Sequence, residues 1–202
     1  MQEVFEKSLA TLRERGYEIV DIEFPSAPFG LAAYYIVMPA EVSTNLARLD
    51  GVRYGLHVEG KDLLDEYKKS RREGFGPETR RRIILGAYVL SSGYYDAYYR
   101  RATALRSVIA KDLERAFADV SYIATPTTPN AAFKIGEKSD PLSMYLEDVF
   151  AAPANLTGIP AISVPHQTIV RDGVTLPVGI QFMSPKRTEK TLFTIARDLM
   201  EG

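Results

Sequence analysis

The chain has 202 residues, no cysteine and a formal net charge of −1. The lack of cysteine excludes a disulfide framework, a zinc finger and a thiol nucleophile, and the balanced charge argues against a surface built wholly for nucleic acid. The N-terminus is charged and amphipathic, and no apolar run approaches the length of a spanning helix. We therefore expect a cytoplasmic protein without membrane contact, folded as a single unit over residues 1–202.

The first half of the chain is predicted to be mainly helical. Gly16 is a natural end for the first helix, before the predicted strand YEIVDIEFP. Pro77 sits at the first turn of the longest helix. The predicted helices cover about residues 2–15, 31–49, 61–73 and 77–118.

Strands dominate the second half. Strands are predicted at the segments SYIATP, AISVP and LPVGIQFM. The pair Asp172-Gly173 predicts a hairpin turn before the last of these strands. Asp140 and Pro141 predict the start of a short helix, and a terminal helix begins at Thr188. This order predicts an α/β fold with a mixed β-sheet covered by helices.

The longest helix carries an unusual aromatic segment, SSGYYDAYYRRA, at residues 91–102. Its apolar residues continue a stripe at intervals of three or four, which we expect other structure to cover, with the tyrosines serving mostly for packing. Gly86 and Gly93 are predicted to leave room for another backbone to approach closely. The stripe consists of Ile84, Tyr88, Ser91, Tyr95, Tyr98, Ala102, Leu105 and Ile109.

Few residues suggest chemistry. There is no G-x-S-x-G, no phosphate loop and no H-E-x-x-H, and neither His57 nor His166 has metal-ligand spacing, so no metal site is expected. A Ser-His-Asp arrangement through His166 is a minor alternative, since no nucleophile context accompanies it.

Three features are nevertheless able to bind a small molecule. The arginines at 80–82 offer a fork for a carboxylate, and either Glu147 or Asp148 can point into a cleft. The loop ATPTTPN, residues 124–130, follows a strand, where α/β proteins place ligands. Together, an arginine, an acid and tyrosine hydroxyls are able to hold an amino acid by its carboxylate and its ammonium group.

Several long segments resemble segments of a known family and occur in the same order as in that family. They resemble the C-terminal part of the A subunit of glutamyl-tRNA(Gln)/aspartyl-tRNA(Asn) amidotransferases, within the amidase signature family, and the resemblance covers nearly the whole chain. The segments are YYIVMPAEVSTNLARLDGVRYG, GFGPETRRRIILGAYVLSSGYYDAYYRRA, ATPTTPNAAF, DPLSMYLEDVF, NLTGIPAISVP and LPVGIQFM.

The resemblance implies the C-terminal portion of the amidase signature fold and a role in a multisubunit enzyme. In that family the A protein hydrolyses glutamine, and the ammonia passes to a partner B subunit that amidates ATP-activated misacylated tRNA. The implied partners are the B and C subunits, glutamine, and misacylated tRNA through the complex. No cofactor is expected in this chain, and ATP and Mg²⁺ are expected on the B subunit.

The resemblance also implies which residues hold glutamine. Arg82 matches the family residue for the α-carboxylate, Asp148 the one for the α-ammonium, and Tyr34 a tyrosine that closes the pocket. These residue types suit a zwitterion. Arg81, one helical step away, is the second choice for the carboxylate.

No catalytic residue is expected in this chain. Family members use a lysine and two serines from an N-terminal portion that nothing in this sequence resembles. We therefore expect a C-terminal part that is inactive until the N-terminal portion of the A subunit completes it. Two alternatives are a fragment of a general amidase and a non-catalytic binding or assembly module.

Overall fold

The structure is a computed structural model that describes residues 1–201. Within this range five α-helices come first, and three strands and three further α-helices follow, which confirms the predicted α/β class. The helices are α1 (Gln2–Glu14), α2 (Gly30–Leu46), α3 (Leu63–Gly74), α4 (Pro77–Val89), α5 (Arg100–Asp119), α6 (Pro141–Tyr145), α7 (Ala152–Thr157) and α8 (Glu189–Met200). The strands are β1 (Ile123–Pro126), β2 (Ala161–Arg171) and β3 (Val174–Met183).

The chain divides into two compact units. Met1–Leu31 and Arg106–Gly202 form the first, which we call the sheet unit. Ala32–Leu105 forms the second, which we call the helical unit. That the whole chain folds as one unit stays a prediction.

The sheet has the strand order β1-β3-β2, and both pairings are antiparallel. The predicted hairpin between β2 and β3 is confirmed. Asp172 and Gly173 have φ values of 52° and 75°, as a tight turn between antiparallel strands requires. The described strands thus form a small antiparallel sheet where the sequence predicted a mixed one.

The predicted strand YEIVDIEFP joins no ladder in the described part of the chain, so this prediction is wrong. The alternation of apolar residues in the segment is real, since Ile19 packs against the core of the sheet unit. A strand, however, also needs a neighbour for its backbone hydrogen bonds, and no segment of residues 1–201 supplies one.

The core of the sheet unit lies between the sheet and the two helices α1 and α8. Phe182 at its centre is completely buried, and Leu12 and Leu199 are nearly so. These side chains come from the apolar faces of three elements that the sequence pattern predicts. The sheet unit therefore has a closed apolar core within the described chain.

In the helical unit, α2 and α4 pack closely at Gly86. A Cβ atom at this position would overlap the carbonyl oxygen of Pro39 and lie 2.7 Å from the Cβ of Ser43. This confirms the prediction that another backbone approaches Gly86.

Gly93 has a different role from the one predicted. Open space surrounds it, but its φ is +88°, in the left-handed region that only glycine adopts without strain. The α-helix cannot continue through this conformation. The predicted long helix is consequently interrupted: α4 ends at Val89, Tyr95–Tyr99 form a π-helical turn, and α5 begins at Arg100.

The predicted buried stripe is right from Ala102 onward and wrong before it. Ala102 and Ile109 are buried, but Ile84 is 70% exposed. The tyrosines are also exposed and stack on one another, with ring centres 4.3 Å apart for Tyr88 and Tyr94. The break at Gly93 ends the single helical face on which the prediction depended.

Candidate functional site

Arg82 lies on α4, and its guanidinium reaches side chains of α2. Nε donates to Glu78 Oε1 at 2.9 Å, Nη1 donates to Met38 Sδ at 3.5 Å, and Cζ lies 5.9 Å from the centre of the Tyr35 ring. Burial lowers the pKa of Arg82, but the hydrogen bond and charge of Glu78, together with Tyr35 and Tyr34, outweigh burial and raise that pKa above its ordinary value. Arg82 is therefore positively charged and lies beside the aromatic ring of Tyr35.

The guanidinium keeps donors for a further partner. A guanidinium has five N–H donors, and the contacts with Glu78 and Met38 engage two of its nitrogens. The thioether of Met38 is a weak acceptor that a carboxylate can replace. Arg82 is therefore equipped to give paired hydrogen bonds to an incoming carboxylate.

Arg81 is less favourably placed for such a role. It also pairs with Glu78, but its side chain is 52% exposed, against 28% for Arg82. An exposed cation is strongly screened by water, so it binds a carboxylate less tightly than a partly buried one. The geometry favours Arg82 over Arg81, and the role of either residue stays a prediction.

Tyr34 is half-buried on α2, beside Tyr35, with the two rings edge to face and their centres 5.2 Å apart. Both tyrosines act on the charge of Arg82. The helical unit thus brings together two of the three residues expected to hold glutamine. Sequence reasoning missed Tyr35 and Glu78, although Glu78 precedes Arg82 by four residues, the spacing of facing side chains on a helix.

Asp148 belongs to the sheet unit and lies in a short 3-10 turn, Leu146–Asp148, between α6 and α7. The predicted start of α6 is confirmed, because the Asp140 side chain accepts from the backbone N–H of Ser143 at 2.9 Å. The part that Asp148 plays in binding stays a prediction.

Glu147, the other acid considered for binding, is engaged inside the sheet unit. It forms an ion pair with Lys138 and accepts from Asn130 Nδ2 at 3.0 Å. Asn130 comes from the loop ATPTTPN, so part of that loop is structural.

The turn is also tied to the sheet on its C-terminal side. Gln181, buried on β3, donates through Nε2 to Phe150 O at 2.9 Å and to Thr125 Oγ1 at 3.0 Å. A buried amide with satisfied partners holds its neighbours in one arrangement. Asp148 therefore lies on a segment that is anchored on both sides.

Both histidines make structural hydrogen bonds. His57 Nδ1 lies 2.7 Å from Gly51 O, and His166 Nδ1 lies 2.9 Å from Ser8 Oγ. His166 stands at the bulge between Pro165 and Gln167 in β2, which turns it toward α1. Burial, and then the charge of Arg15, lower the pKa of His166.

No group of three histidine, aspartate or glutamate side chains in residues 1–201 is arranged to hold a metal ion. Over the same residues, no helix combines the length and the apolar character needed to cross a membrane.

The sequence profile of the family described as Amidase matches residues 1–193. The chain belongs to the amidase family. The expected resemblance to amidase signature proteins is confirmed.

Curated amidase-family relatives are similar over nearly the whole of this chain. The A subunit of glutamyl-tRNA(Gln) amidotransferase from Parvibaculum lavamentivorans is 50% identical over 197 residues, which cover 97% of this chain and 39% of that protein. The corresponding protein of Pelagibacter ubique, which has the same name, is 48% identical over 202 residues, covering 100% of this chain and 41% of that protein. The chain thus spans about two fifths of the length of these relatives.

Solved structures confirm the amidase fold. The crystal structure of the A subunit of glutamyl-tRNA(Gln) amidotransferase from Thermotoga maritima has a TM-score of 0.72 and 36% identity, covering 100% of this chain and 38% of that one. A crystal structure described as an amidase has a TM-score of 0.73 and covers 99% of this chain and 41% of that one, at 18% identity. The second similarity shows the fold alone.

Proposed function

We propose that this chain is the glutamine-binding C-terminal part of the A subunit of a glutamyl-tRNA(Gln) amidotransferase. The observation that carries the proposal is the 48–50% identity, along essentially the whole chain, to curated proteins of that name. The complete protein hydrolyses the side-chain amide of glutamine to glutamate and ammonia. The ammonia then amidates misacylated Glu-tRNA(Gln) or Asp-tRNA(Asn) within a complex with B and C subunits.

In this proposal each end of glutamine meets a residue of opposite charge. Arg82 donates paired hydrogen bonds to the α-carboxylate, and the hydroxyl of Tyr34 adds a further polar contact. Asp148 accepts from the α-ammonium. The charged state of Arg82 and its position beside the tyrosines of α2 support this assignment.

The covalent step belongs to the complete protein. A serine acting with a second serine and a lysine supplies the nucleophile in the family that this chain resembles, and ATP with Mg²⁺ is bound by the B subunit. We expect residues 1–202 alone to release no ammonia from glutamine. Ammonia production by the purified chain without any partner would contradict this expectation.

The decisive experiment compares two sources of ammonia. In the complete complex, Arg82→Ala should raise the KM for glutamine by about 10- to 100-fold, because a hydrogen-bonded charge contact is lost. Amidation with free ammonium chloride should be unchanged, since this route bypasses the glutamine site. Arg81→Ala is the matched control and should change neither activity.

A general amidase is the alternative that the fold similarity supports. It predicts that the complete protein hydrolyses uncharged amides as well as glutamine and does not support tRNA amidation. A non-catalytic binding or assembly module predicts neither hydrolysis nor amidation in any complex. Assaying glutamine, an uncharged amide and misacylated tRNA side by side separates the three functions.

A further inference from the structure

The largely buried ion pair between Lys138 and Glu147 has no part in the function proposed above. The side chain of Lys138 is 19% exposed and that of Glu147 is 13% exposed. Removing two charges from water is costly, and such a pair is stable only when its geometry is good and further hydrogen bonds satisfy it. The other ion pairs of the same loop, from Lys134 to Asp172 and from Arg171 to Glu137, are far more exposed.

Lys138 joins several parts of the sheet unit. Its ammonium binds Glu147 and donates to Ser143 O in α6 at 3.4 Å, and it lies 4.9 Å from the centre of the Phe133 ring. Asn130 Nδ2 also donates a hydrogen bond to Glu147 Oε1 at 3.0 Å. The loop before α6, α6 itself and the 3-10 turn after it thus meet at one ammonium group.

The residue held in this way is the immediate neighbour of Asp148. Glu147 and Asp148 are neighbours in the 3-10 turn Leu146–Asp148, where successive side chains point about 120° apart because the turn has about three residues per revolution. When Lys138 and Asn130 hold Glu147, they restrain the backbone from which the Asp148 side chain leaves the turn. Gln181 fixes the segment on the other side through Phe150 O.

We propose that Lys138 and Glu147 are positioning residues for glutamine, which hold the turn so that the Asp148 carboxylate meets the α-ammonium of the substrate. The inference rests on the proposed function. The ion pair then determines how well the protein recognises the amino group of its substrate. Neither Lys138 nor Glu147 touches the substrate.

The test uses glutamine and its analogue without the α-amino group, 4-carbamoylbutanoate. The ratio of kcat/KM for glutamine to kcat/KM for the analogue, measured in the complete complex, reports the ammonium contact. Lys138→Met should lower this ratio roughly tenfold or more, because a misplaced carboxylate loses a charged hydrogen bond. It should leave the analogue and free ammonia almost unaffected.

Three further variants make the outcome unambiguous. Lys134→Met, which breaks an exposed ion pair of the same loop, is the matched control and should keep the wild-type ratio. Lys138→Arg keeps the charge and should retain most of the ratio. The double variant with Lys138→Met and Glu147→Gln also removes the carboxylate charge that Lys138→Met alone leaves unpaired, so it tests the proposal if Lys138→Met alone does not fold.

Asp148→Asn separates failure of the inference from failure of the proposed function. If Asp148→Asn lowers the ratio but Lys138→Met and the double variant do not, the ion pair is only structural and the inference is overturned. If Asp148→Asn itself leaves the ratio unchanged, the assigned role of Asp148 is wrong, and the inference falls with it. The inference is supported if the ratio falls in Asp148→Asn, in Lys138→Met and in the double variant. Lys134→Met should keep the wild-type ratio.

Discussion

The sheet unit and the helical unit hold their candidate binding residues in place by different kinds of contact. In the helical unit, Arg82 is held by Glu78, four residues earlier on the same helix, and by side chains of α2. In the sheet unit, the turn bearing Asp148 is held by Gln181, 31 residues beyond Phe150, and by Lys138 from the preceding loop. Arg82 is thus held by contacts within one helix and between two helices, whereas the turn bearing Asp148 is held by contacts with a loop and with the sheet.

The two units also differ in how they bury apolar surface. The sheet unit closes its core around Phe182, whereas the helical unit leaves Ile84 and several tyrosines exposed within the described chain. Burial of apolar surface is the main stabilising term in folding. The sheet unit thus has a continuous apolar core around Phe182, whereas the helical unit leaves large apolar side chains exposed beside the close contact of α2 and α4.

The largest expected effect tests the core of the sheet unit. Phe182→Ala should lower the free energy of unfolding by about 3–5 kcal/mol, because it removes a fully buried aromatic ring and leaves a cavity. Phe193→Ala, on the exposed face of α8, is the matched control and should cost less than about 0.5 kcal/mol. Denaturant unfolding measures both, and equal effects would show that the core is not where the structure places it.

A smaller effect is expected for the contact between α2 and α4. Gly86→Ala places a methyl group against the Pro39 carbonyl, so the helices must separate, at a cost of about 1–3 kcal/mol despite the better helix propensity of alanine. Gly74→Ala in α3 meets only ordinary side-chain contacts and should be neutral or slightly stabilising. A Gly86→Ala variant as stable as the parent protein would contradict the close approach.

The smallest effect concerns pH and the contact between α1 and β2. The folded protein lowers the pKa of His166 from its ordinary 6.5, so its neutral ring is favoured beside Ser8, Gln167 and Arg15. The unfolded state then binds a proton more readily, and the free energy of unfolding should decline as the pH falls below about 6.5. Above that pH this residue should contribute no slope.

His166→Gln should remove this part of the pH dependence, and His57→Gln should leave it in place. Urea unfolding at a series of pH values between about 5 and 8 measures the difference. A pH profile of His166→Gln that coincides with the wild-type profile would exclude His166 as its source.

Local signals explain what the sequence predicted well. The hairpin at Asp172 and Gly173 and the cap at Asp140 depend on residues within a few positions, so their patterns are sufficient. The contact of Gly86 with Pro39 is not local, but the small size of glycine was a sufficient signal that another backbone approaches there. The α/β class follows from the order of these elements.

Non-local contacts explain what the sequence predicted poorly. The segment YEIVDIEFP has the pattern of a strand, but ladder formation depends on a partner elsewhere in the chain. The pattern around residues 91–102 did not reveal the positive φ of Gly93 that interrupts the helix. Nothing in the order Glu147-Asp148 indicates which acid Lys138 engages, because that depends on how a loop folds back.

The central claim is that Arg82 recognises the α-carboxylate of glutamine, and one comparison tests it most directly. The complete complex is assayed with glutamine and with 4-aminobutanamide, which keeps the amino group and the amide but lacks the carboxylate. The wild-type protein should prefer glutamine strongly, and Arg82→Ala should reduce this preference by roughly 10- to 100-fold, mostly by slowing the reaction of glutamine. An undiminished preference in Arg82→Ala would contradict the account.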